Sequence, residues 1–303
     1  MSHRIKIYFG LVLICLLWGS SWAAVKLGLE TIPPLLSLGI RFTIASMILG
    51  VIAVFQQLGI SRSTAFWKLA AIISMTSFTV PFVLIYWAQL QIDSSLAAVL
   101  FATYPFWVAV LSHFYLPAEK ITVPRILGMI IGFAGVAFIF SDGFRDVNSN
   151  TLFGMVALVA GAVIQAFGLI SIRRSGEHFH PVALNLWPMA MSSLPLFAAS
   201  IAWEDYSKIV YDQQSVGSLL YLALFCTATT FVIYFWLIKH IEAVILSLSA
   251  FITPMIAVII GVFLLGEEFT GTMIIGSILV LLGVAVATLD NLVALFRRRI
   301  VSR

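Results

Sequence analysis

Charge is the scarcest property of this sequence. Only 10% of its 303 residues are Asp, Glu, Lys or Arg, whereas 61% are hydrophobic. An average soluble domain carries roughly a quarter charged residues. So few charges cannot cover a surface that faces water, and most of the surface must therefore face lipid. Ten membrane spans of about 20 residues, with short connections, account for nearly the whole length.

Acidic residues are absent from the interior of the apolar runs, since all thirteen fall between runs or at their ends. No group of Cys and His has the spacing of a metal site. The two cysteines, Cys15 and Cys226, lie inside apolar runs and are expected to be packing residues. No phosphate-binding loop and no serine with a positioned base is present. We therefore predict no catalytic residue, no metal and no cofactor.

Ten apolar runs of about 17–23 residues are present, each long enough to cross a core roughly 30 Å thick. Strands of a barrel would alternate in hydrophobicity over about ten residues, which these runs do not do. The sequence therefore predicts an all-α integral membrane protein with ten transmembrane helices. The runs lie near 8–25, 35–55, 67–89, 95–116, 124–140, 152–172, 182–202, 218–238, 243–265 and 271–289.

Lysine and arginine are distributed unequally between alternate connections. If the N-terminus is cytoplasmic, the outer segments hold only Lys26, Arg145 and Lys208. This asymmetry is typical of the positive-inside rule, and it predicts a multi-pass inner-membrane protein with both termini cytoplasmic. The net charge of +4 then reflects membrane topology and not nucleic-acid binding. The inner segments hold Arg4, Lys6, Arg62, Lys68, Lys120, Arg125, Arg173, Arg174, Lys239, Arg297, Arg298, Arg299 and Arg303.

The chain contains an internal repeat with a shift of 149 residues. Each half then holds five helices, and an odd number makes the two halves enter the membrane from opposite sides. We predict a 5+5 inverted-topology repeat, with residues 1–145 and 146–303 as its halves, and a substrate site near mid-membrane. The shift aligns Phe82, Val83, Trp87, Ile92, Pro105, Phe114, Leu116 and Glu119 with Phe231, Val232, Trp236, Ile241, Pro254, Phe263, Leu265 and Glu268.

The order of several motifs resembles the EamA-type branch of the drug/metabolite transporter superfamily. These are Trp18-Gly19, Lys26, Pro33-Pro34 and Arg41-Phe42, followed by Pro105, Glu119, Pro254 and Glu268. The resemblance implies a secondary transporter of the inner membrane that exports amino acids or other small metabolites. The sequence departs from the family pattern in the turns after the fourth and ninth spans, and the second half lacks the Trp-Gly motif.

Two basic residues are candidates for gating or for charge recognition. Arg41 lies inside the second span, where a buried charge is costly unless it is paired or hydrated. Alternatively, Arg41 snorkels to the outer interface. Snorkelling would also readily explain Lys26, which lies at the outer end of the first span. Small multidrug relatives of the superfamily use a glutamate in the first helix, and this first helix has none. Antiport of cationic drugs by that mechanism is therefore disfavoured.

Aromatic residues recur at steps of three or four in the third and eighth spans, which places them on one helix face. These two spans are related by the repeat. Ordinary helix packing would explain any single member, but as a set they predict the wall of a substrate cavity. The candidate substrate-binding residues are Trp18, Phe78, Phe82, Tyr86, Tyr104, Gln165, Thr227, Phe231 and Tyr234.

Pro105 and Pro254 are related by the repeat and predict helix kinks, either static or bending during transport. We interpret the chain as an exporter of small metabolites, amino acids or related zwitterionic or neutral compounds, that works by alternating access and functions as a monomer. One alternative is an exchanger of nucleotide-sugars or sugar phosphates, which needs two or more positive charges in the cavity. The other is a membrane-embedded sensor or enzyme without transport. The expected partners are a small-molecule substrate and the lipid bilayer.

Overall fold

The computed structural model describes residues 3–115, 122–143, 149–176, 178–240, 249–287 and 289. Within these ranges the chain forms ten long helices, one short 3₁₀-helix (Tyr206–Lys208) and no strand. The helices are α1 (His3–Gly28), α2 (Pro34–Phe55), α3 (Thr64–Gln89), α4 (Ser94–Tyr115), α5 (Val123–Gly143), α6 (Ser149–Ser175), α7 (Ala183–Trp203), α8 (Gln213–Ala223, Leu224–Thr229 and Thr230–His240), α9 (Ser249–Leu265) and α10 (Gly271–Ala287).

The helices have the length and surface of membrane spans. Seven of those described are long and apolar enough to cross a bilayer, and the apolar parts of α5, α9 and α10 are shorter. Large apolar side chains lie on the outside of the bundle, for example Phe55 and Phe263, which are more than four-fifths exposed. Because such a surface is unfavourable in water, it indicates contact with lipid. The protein is an integral membrane protein with ten transmembrane helices.

The packing of the helices follows the predicted inverted repeat, in which α1–α5 correspond to α6–α10. The pair α3–α6 has its counterpart in α8–α1, and the pair α1–α9 has its counterpart in α6–α4. Two further pairs, α2–α7 and α5–α10, each join a helix to its own counterpart. This set of contacts is the one expected of an inverted repeat with a pseudo-twofold axis in the membrane plane. The bundle is therefore formed by both halves together.

Helices α5 and α10 pack through glycines. A Cβ atom on Gly128 would lie 2.4 Å from the carbonyl oxygen of Gly283, and one on Gly135 would lie 2.6 Å from that of Gly276. Backbone approach this close is possible only without side chains. These two helices form the most extensively packed pair of the described bundle.

Three helices are irregular near the centre of the bundle. In α3 the segment Ser74–Thr79 is π-helical, and in α8 the segment Leu224–Thr229 is π-helical too. Helix α4 is interrupted at Ala102 and Thr103, immediately before Tyr104 and Pro105. Pro254 lies inside the continuous α9, so this irregularity is absent from the counterpart helix.

The two ends of the bundle differ in charge. One end, here called the acidic end, holds residues 29–33, 90–93, 204–212 and 266–270. Every Asp and Glu whose side chain the structure describes lies there, namely Glu30, Asp93, Glu204, Asp205, Asp212, Glu267 and Glu268. The opposite end holds the start of α1 and the connection between α2 and α3, with Lys6 and Arg62.

Candidate functional site

Arg41 lies in the interior of the bundle, two turns into α2, and is 4% exposed. Its Nε donates a hydrogen bond to Thr227 Oγ1 at 2.7 Å, and its Nη1 donates one to the Tyr86 hydroxyl at 2.9 Å. The guanidinium carbon also lies 5.2 Å from the centroid of the Phe82 ring, within the range of a cation–π contact. Arg41 therefore does not snorkel, and it connects three predicted substrate-binding residues.

The partners of Arg41 are neutral. No carboxylate among the described residues lies within 4 Å of its guanidinium, because all of those carboxylates are at the acidic end. Burying a cation without a counter-charge costs several kcal/mol, and two hydroxyls offset that cost only in part. The site therefore favours binding of an anionic group.

Aromatic rings continue from Arg41 through the centre of the bundle. Phe42 contacts both Phe78 and Phe82 edge-to-face, with ring centroids 5.6 and 5.3 Å apart. Phe78 contacts Phe231 across the repeat at 5.9 Å. Trp18 then contacts Phe231 at 6.4 Å and Tyr234 at 5.4 Å. Helices α1, α2, α3 and α8 thus bring seven of the nine predicted residues, together with Arg41, into one cluster, here called the ring cluster.

Tyr104 and Gln165 come from α4 and α6, and the Tyr104 hydroxyl lies near enough to that of Tyr234 for the two to interact electrostatically. Tyr104 stacks on Phe101 with ring centroids 5.6 Å apart, and Phe101 in turn contacts Trp22. Gln165 lies on α6 between two glycines that pack against α3, and its Oε1 is buried without a hydrogen-bond partner. That oxygen is an acceptor with unused capacity beside the π-helical segment of α3.

The π-helical segments position the ring cluster on both repeat-related helices. In α3, Pro81 has no N–H, and the neighbouring Val80 N–H bonds to the carbonyl of Met75, five residues earlier. In α8 the Thr227 hydroxyl donates to the carbonyl of Leu222, also five residues earlier, at 2.9 Å. The same hydroxyl accepts the hydrogen bond from Arg41. Such segments are frequent at functional sites because they turn side chains out of the regular helical register.

Gln89 is a site residue that the sequence analysis missed. It is 1% exposed, and neither Nε2 nor Oε1 of its amide has a hydrogen-bond partner. It follows Tyr86 by three residues and so lies on the face of α3 that carries the aromatic stripe, one turn nearer the acidic end. The signal in the sequence that could have identified it is a polar residue on the aromatic face of an otherwise apolar run.

Lys26 has a different environment from Arg41. Its Nζ donates to the carbonyls of Gln89 at 3.0 Å and Ile92 at 2.9 Å, and it lies 3.8 Å from Asp93 Oδ1. Carbonyls at the end of a helix carry partial negative charge, so a cation is stabilised there. These contacts join α1 to the end of α3 and support a structural role at the acidic end.

Two glutamates, also missed from the sequence, cap helices at the acidic end. Glu267 accepts hydrogen bonds from the N–H groups of Ser94 and Ser95 at 2.8 and 2.9 Å, and from both hydroxyls. Glu204 accepts from the N–H groups of Leu35 and Leu36 at 2.6 and 2.9 Å. Each carboxylate thus satisfies the free N–H groups at the start of a helix. The caps join α4 to the segment after α9, and α2 to the end of α7.

These contacts change the pKa values of two carboxyl groups in the connections. Burial raises the pKa of Asp93 above its ordinary value of 3.8, the charges of Glu267 and Glu268 act in the same direction, and Lys26 opposes them. Burial alone would also raise the pKa of Glu267. The hydrogen bonds from Ser94 and Ser95 to its carboxylate prevail, and the pKa of Glu267 is held below 4.5.

Two cavities lie apart from the ring cluster. One, of about 420 Å³, is at the acidic end and is lined by Lys26, Glu30, Asp93 and residues 265–268. The other, of about 580 Å³, is an apolar groove between α3 and α7. None of the nine predicted substrate-binding residues lines either cavity, because the central rings pack against each other. Trp18, Phe82, Phe231 and Tyr234 are nevertheless only partly buried, so the ring contacts do not seal the predicted cavity wall.

Some residues named in the sequence analysis lie outside the described residues. They are Leu116, Glu119, Lys120, Arg145, Ile241, Arg297, Arg298, Arg299 and Arg303.

The chain matches one family model twice. Residues 5–141 and residues 152–289 each match the EamA-like transporter family. Among its relatives, the "Uncharacterized transporter YoaV" of Bacillus subtilis (strain 168) is 29% identical over 284 residues, which cover 94% of this chain and 97% of that protein. An uncharacterized transporter of Archaeoglobus fulgidus is 27% identical and covers 92% of this chain and 97% of its own length.

A solved structure has the same fold. It is a crystal structure that covers 95% of this chain and 98% of its own, with a TM-score of 0.67 and 18% sequence identity. At that identity the likeness concerns the fold alone.

Proposed function

Since the chain belongs to the EamA-like transporter family, a branch of the drug/metabolite transporter superfamily, we propose that it exports small zwitterionic or neutral metabolites, amino acids in particular. It does so as a monomer, by alternating access, across the inner membrane with both termini cytoplasmic. The ring cluster is its substrate site. The observation that carries this proposal is the convergence of α1, α2, α3 and α8, from both repeats, on Arg41 and the central rings.

The chemistry of the ring cluster supports this substrate class. Aromatic and aliphatic walls favour a substrate with an apolar body, whereas the hydroxyls of Tyr86 and Thr227 and the guanidinium of Arg41 can bind its polar end. Nucleotide-sugars and sugar phosphates carry two or more negative charges and would need as many cations. Among the described residues, Arg41 is the cation that lies within the ring cluster, whereas Arg173 acts electrostatically on Tyr104 and Tyr234 from the last turn of α6 and Lys26 is engaged at the acidic end. A multiply charged substrate is therefore disfavoured.

The contacts at the acidic end support alternating access. Glu204 and Glu267 each connect the two repeats, and Lys26 connects α1 to the end of α3, so these contacts hold the helices together at this end. Exchange of the substrate requires these contacts to break and the contacts of the opposite end to form. The π-helical segments of α3 and α8 are the points at which the two central helices can adjust, because their backbone hydrogen bonds are already displaced.

Transport in inside-out membrane vesicles tests the proposal. Vesicles with the protein should accumulate at least one member of a panel of amino acids and neutral metabolites, saturably and above vesicles without it. Running the panel with and without a proton gradient separates coupled from facilitated transport. Accumulation of sugar phosphates but of no amino acid would replace the proposed substrate class. Failure to accumulate any compound would overturn the transport assignment for this chain.

A further inference from the structure

Two buried groups of the central region have unused binding capacity, and they lie on neighbouring turns. Arg41 is a cation whose described partners are two neutral hydroxyls. Gln89 has a complete amide, with two donors and one acceptor group, that makes no hydrogen bond. Native interiors satisfy nearly all buried polar side-chain atoms, so an unpaired amide in a 1% exposed residue requires an explanation.

The backbone relates the two groups through Tyr86. Tyr86 accepts the hydrogen bond from Arg41 Nη1, and Gln89 is three residues further along the same helix face. Three residues correspond to a rise of about 4.5 Å along α3. A ligand whose polar end contacts the guanidinium therefore has to extend at least one helical turn towards the acidic end to reach the amide. Phe82, under the guanidinium on the same face, marks where the apolar part of the site begins.

We infer that Arg41 and Gln89 form a carboxylate subsite at the acidic-end side of the ring cluster. The guanidinium supplies the charge and paired N–H donors that match a carboxylate, and the Gln89 amide donates to a polar atom further along the ligand. This inference rests on the proposed function, and it narrows the substrate class to compounds with one carboxylate on an apolar body. A neutral metabolite without a carboxylate is then not a substrate.

Binding to the purified full-length protein tests this subsite with matched probes. The probes are L-phenylalanine, 3-phenylpropionate, L-phenylalaninamide and phenethylamine, which share the ring and differ in the carboxylate and the amine. We expect L-phenylalanine and 3-phenylpropionate to raise the unfolding temperature of the protein. L-Phenylalaninamide and phenethylamine should need at least tenfold higher concentrations to give the same increase. Equal effects of all four, or effects of the amide and amine alone, would overturn the inference.

Substitutions at Gln89 separate binding from folding. Gln89→Glu places a carboxylate beside Arg41 and so supplies the missing counter-charge from within the protein. The variant should unfold at the same or a higher temperature, yet bind the two carboxylates at least tenfold more weakly. Gln91→Glu is the matched control, since Gln91 is two residues further on and its Cβ faces Gly154 of α6. Its carboxylate binding should be unchanged. Equal losses in both variants would refute the assigned position.

Arg41→Lys and Arg41→Gln complete the set. Lysine keeps the charge without the paired donors, so it should retain part of the carboxylate binding that glutamine abolishes. If Arg41→Gln folds and binds the two carboxylates like the wild type, the subsite is wrong. If no probe stabilises the wild-type protein, the carboxylate subsite is also wrong. The proposed transport function is then judged separately by the vesicle panel, whose compounds include neutral metabolites.

Discussion

The glycine contact between α5 and α10 leads to a prediction whose size follows from the structure. In Gly135→Ala, the new Cβ would lie 2.6 Å from the Gly276 carbonyl oxygen, 2.8 Å from Leu279 Cβ and 2.8 Å from the Val280 nitrogen. All three are backbone or Cβ atoms, which no rotamer change can move. The helices must therefore separate until these contacts reach about 3.4 Å or more.

The expected loss of stability combines two opposing effects. Overpacking a tight interface costs about 1–3 kcal/mol, and contacts with backbone atoms that cannot rotate away put this case in the upper part of that range, about 2–3 kcal/mol. Alanine is the better helix former by about 1 kcal/mol, so the free energy of unfolding should fall by roughly 1–2 kcal/mol. That corresponds to a decrease of about 2–6 °C in the unfolding temperature. Gly217→Ala is the control, because a Cβ on Gly217 in α8 would meet no atom within 4 Å. It should unfold at the wild-type temperature or above.

The two buried cysteines provide the assay. Cys15 and Cys226 are both free thiols inside the bundle, so a thiol-reactive fluorescent dye should label them only as the protein unfolds. Heating the detergent-solubilised protein with the dye then gives the unfolding temperature of each variant. If Gly135→Ala unfolds at or above the wild-type temperature, as Gly217→Ala does, the close contact does not limit packing and the reasoning fails.

Three further predictions concern the site and the acidic end. Phe82→Ala and Phe231→Ala should each change which amino acids the vesicles accumulate, while expression stays near the wild-type level. An unaltered substrate profile in both variants would exclude these rings from the site. Thr227→Val keeps the side-chain shape but removes the hydroxyl that forms hydrogen bonds with Arg41 and with the Leu222 carbonyl. It should lower the free energy of unfolding by about 1–3 kcal/mol, measured with the same dye. No loss of stability would mean that water replaces the hydroxyl. The folded-state pKa of Glu267 is below 4.5, so its cap stabilises the protein fully above that pH and is lost as the pH falls through the lower folded-state pKa. Glu267→Gln should therefore destabilise the protein near neutral pH and show a weaker dependence on acid, and parallel acid profiles of variant and wild type would contradict this.

Much of the candidate site was predictable because it depends on periodicity. The stripe of Phe78, Phe82 and Tyr86 and its counterpart on α8 could be read from spacing alone, since side chains three or four apart share a helix face. The structure does place those faces opposite each other. Gln89 was missed although it continues the stripe, because nothing in the spacing indicates that its amide lacks a partner. Glu204 and Glu267 were missed because their partners are more than 160 residues away.

Composition and order along the chain determined the membrane location, the ten helices and the repeat. These properties follow from local requirements: a span must be apolar over its whole length, and its backbone must be satisfied within the helix. Whether Arg41 snorkels or is buried was decided only by the tertiary structure, because both outcomes are compatible with its position in the second span. The partner that keeps it inside, Thr227, is 186 residues away and is brought to it by the inverted packing of the two halves. The tertiary structure also decided that Lys26 binds carbonyls at the end of α3, since those acceptors exist only where that helix ends beside α1.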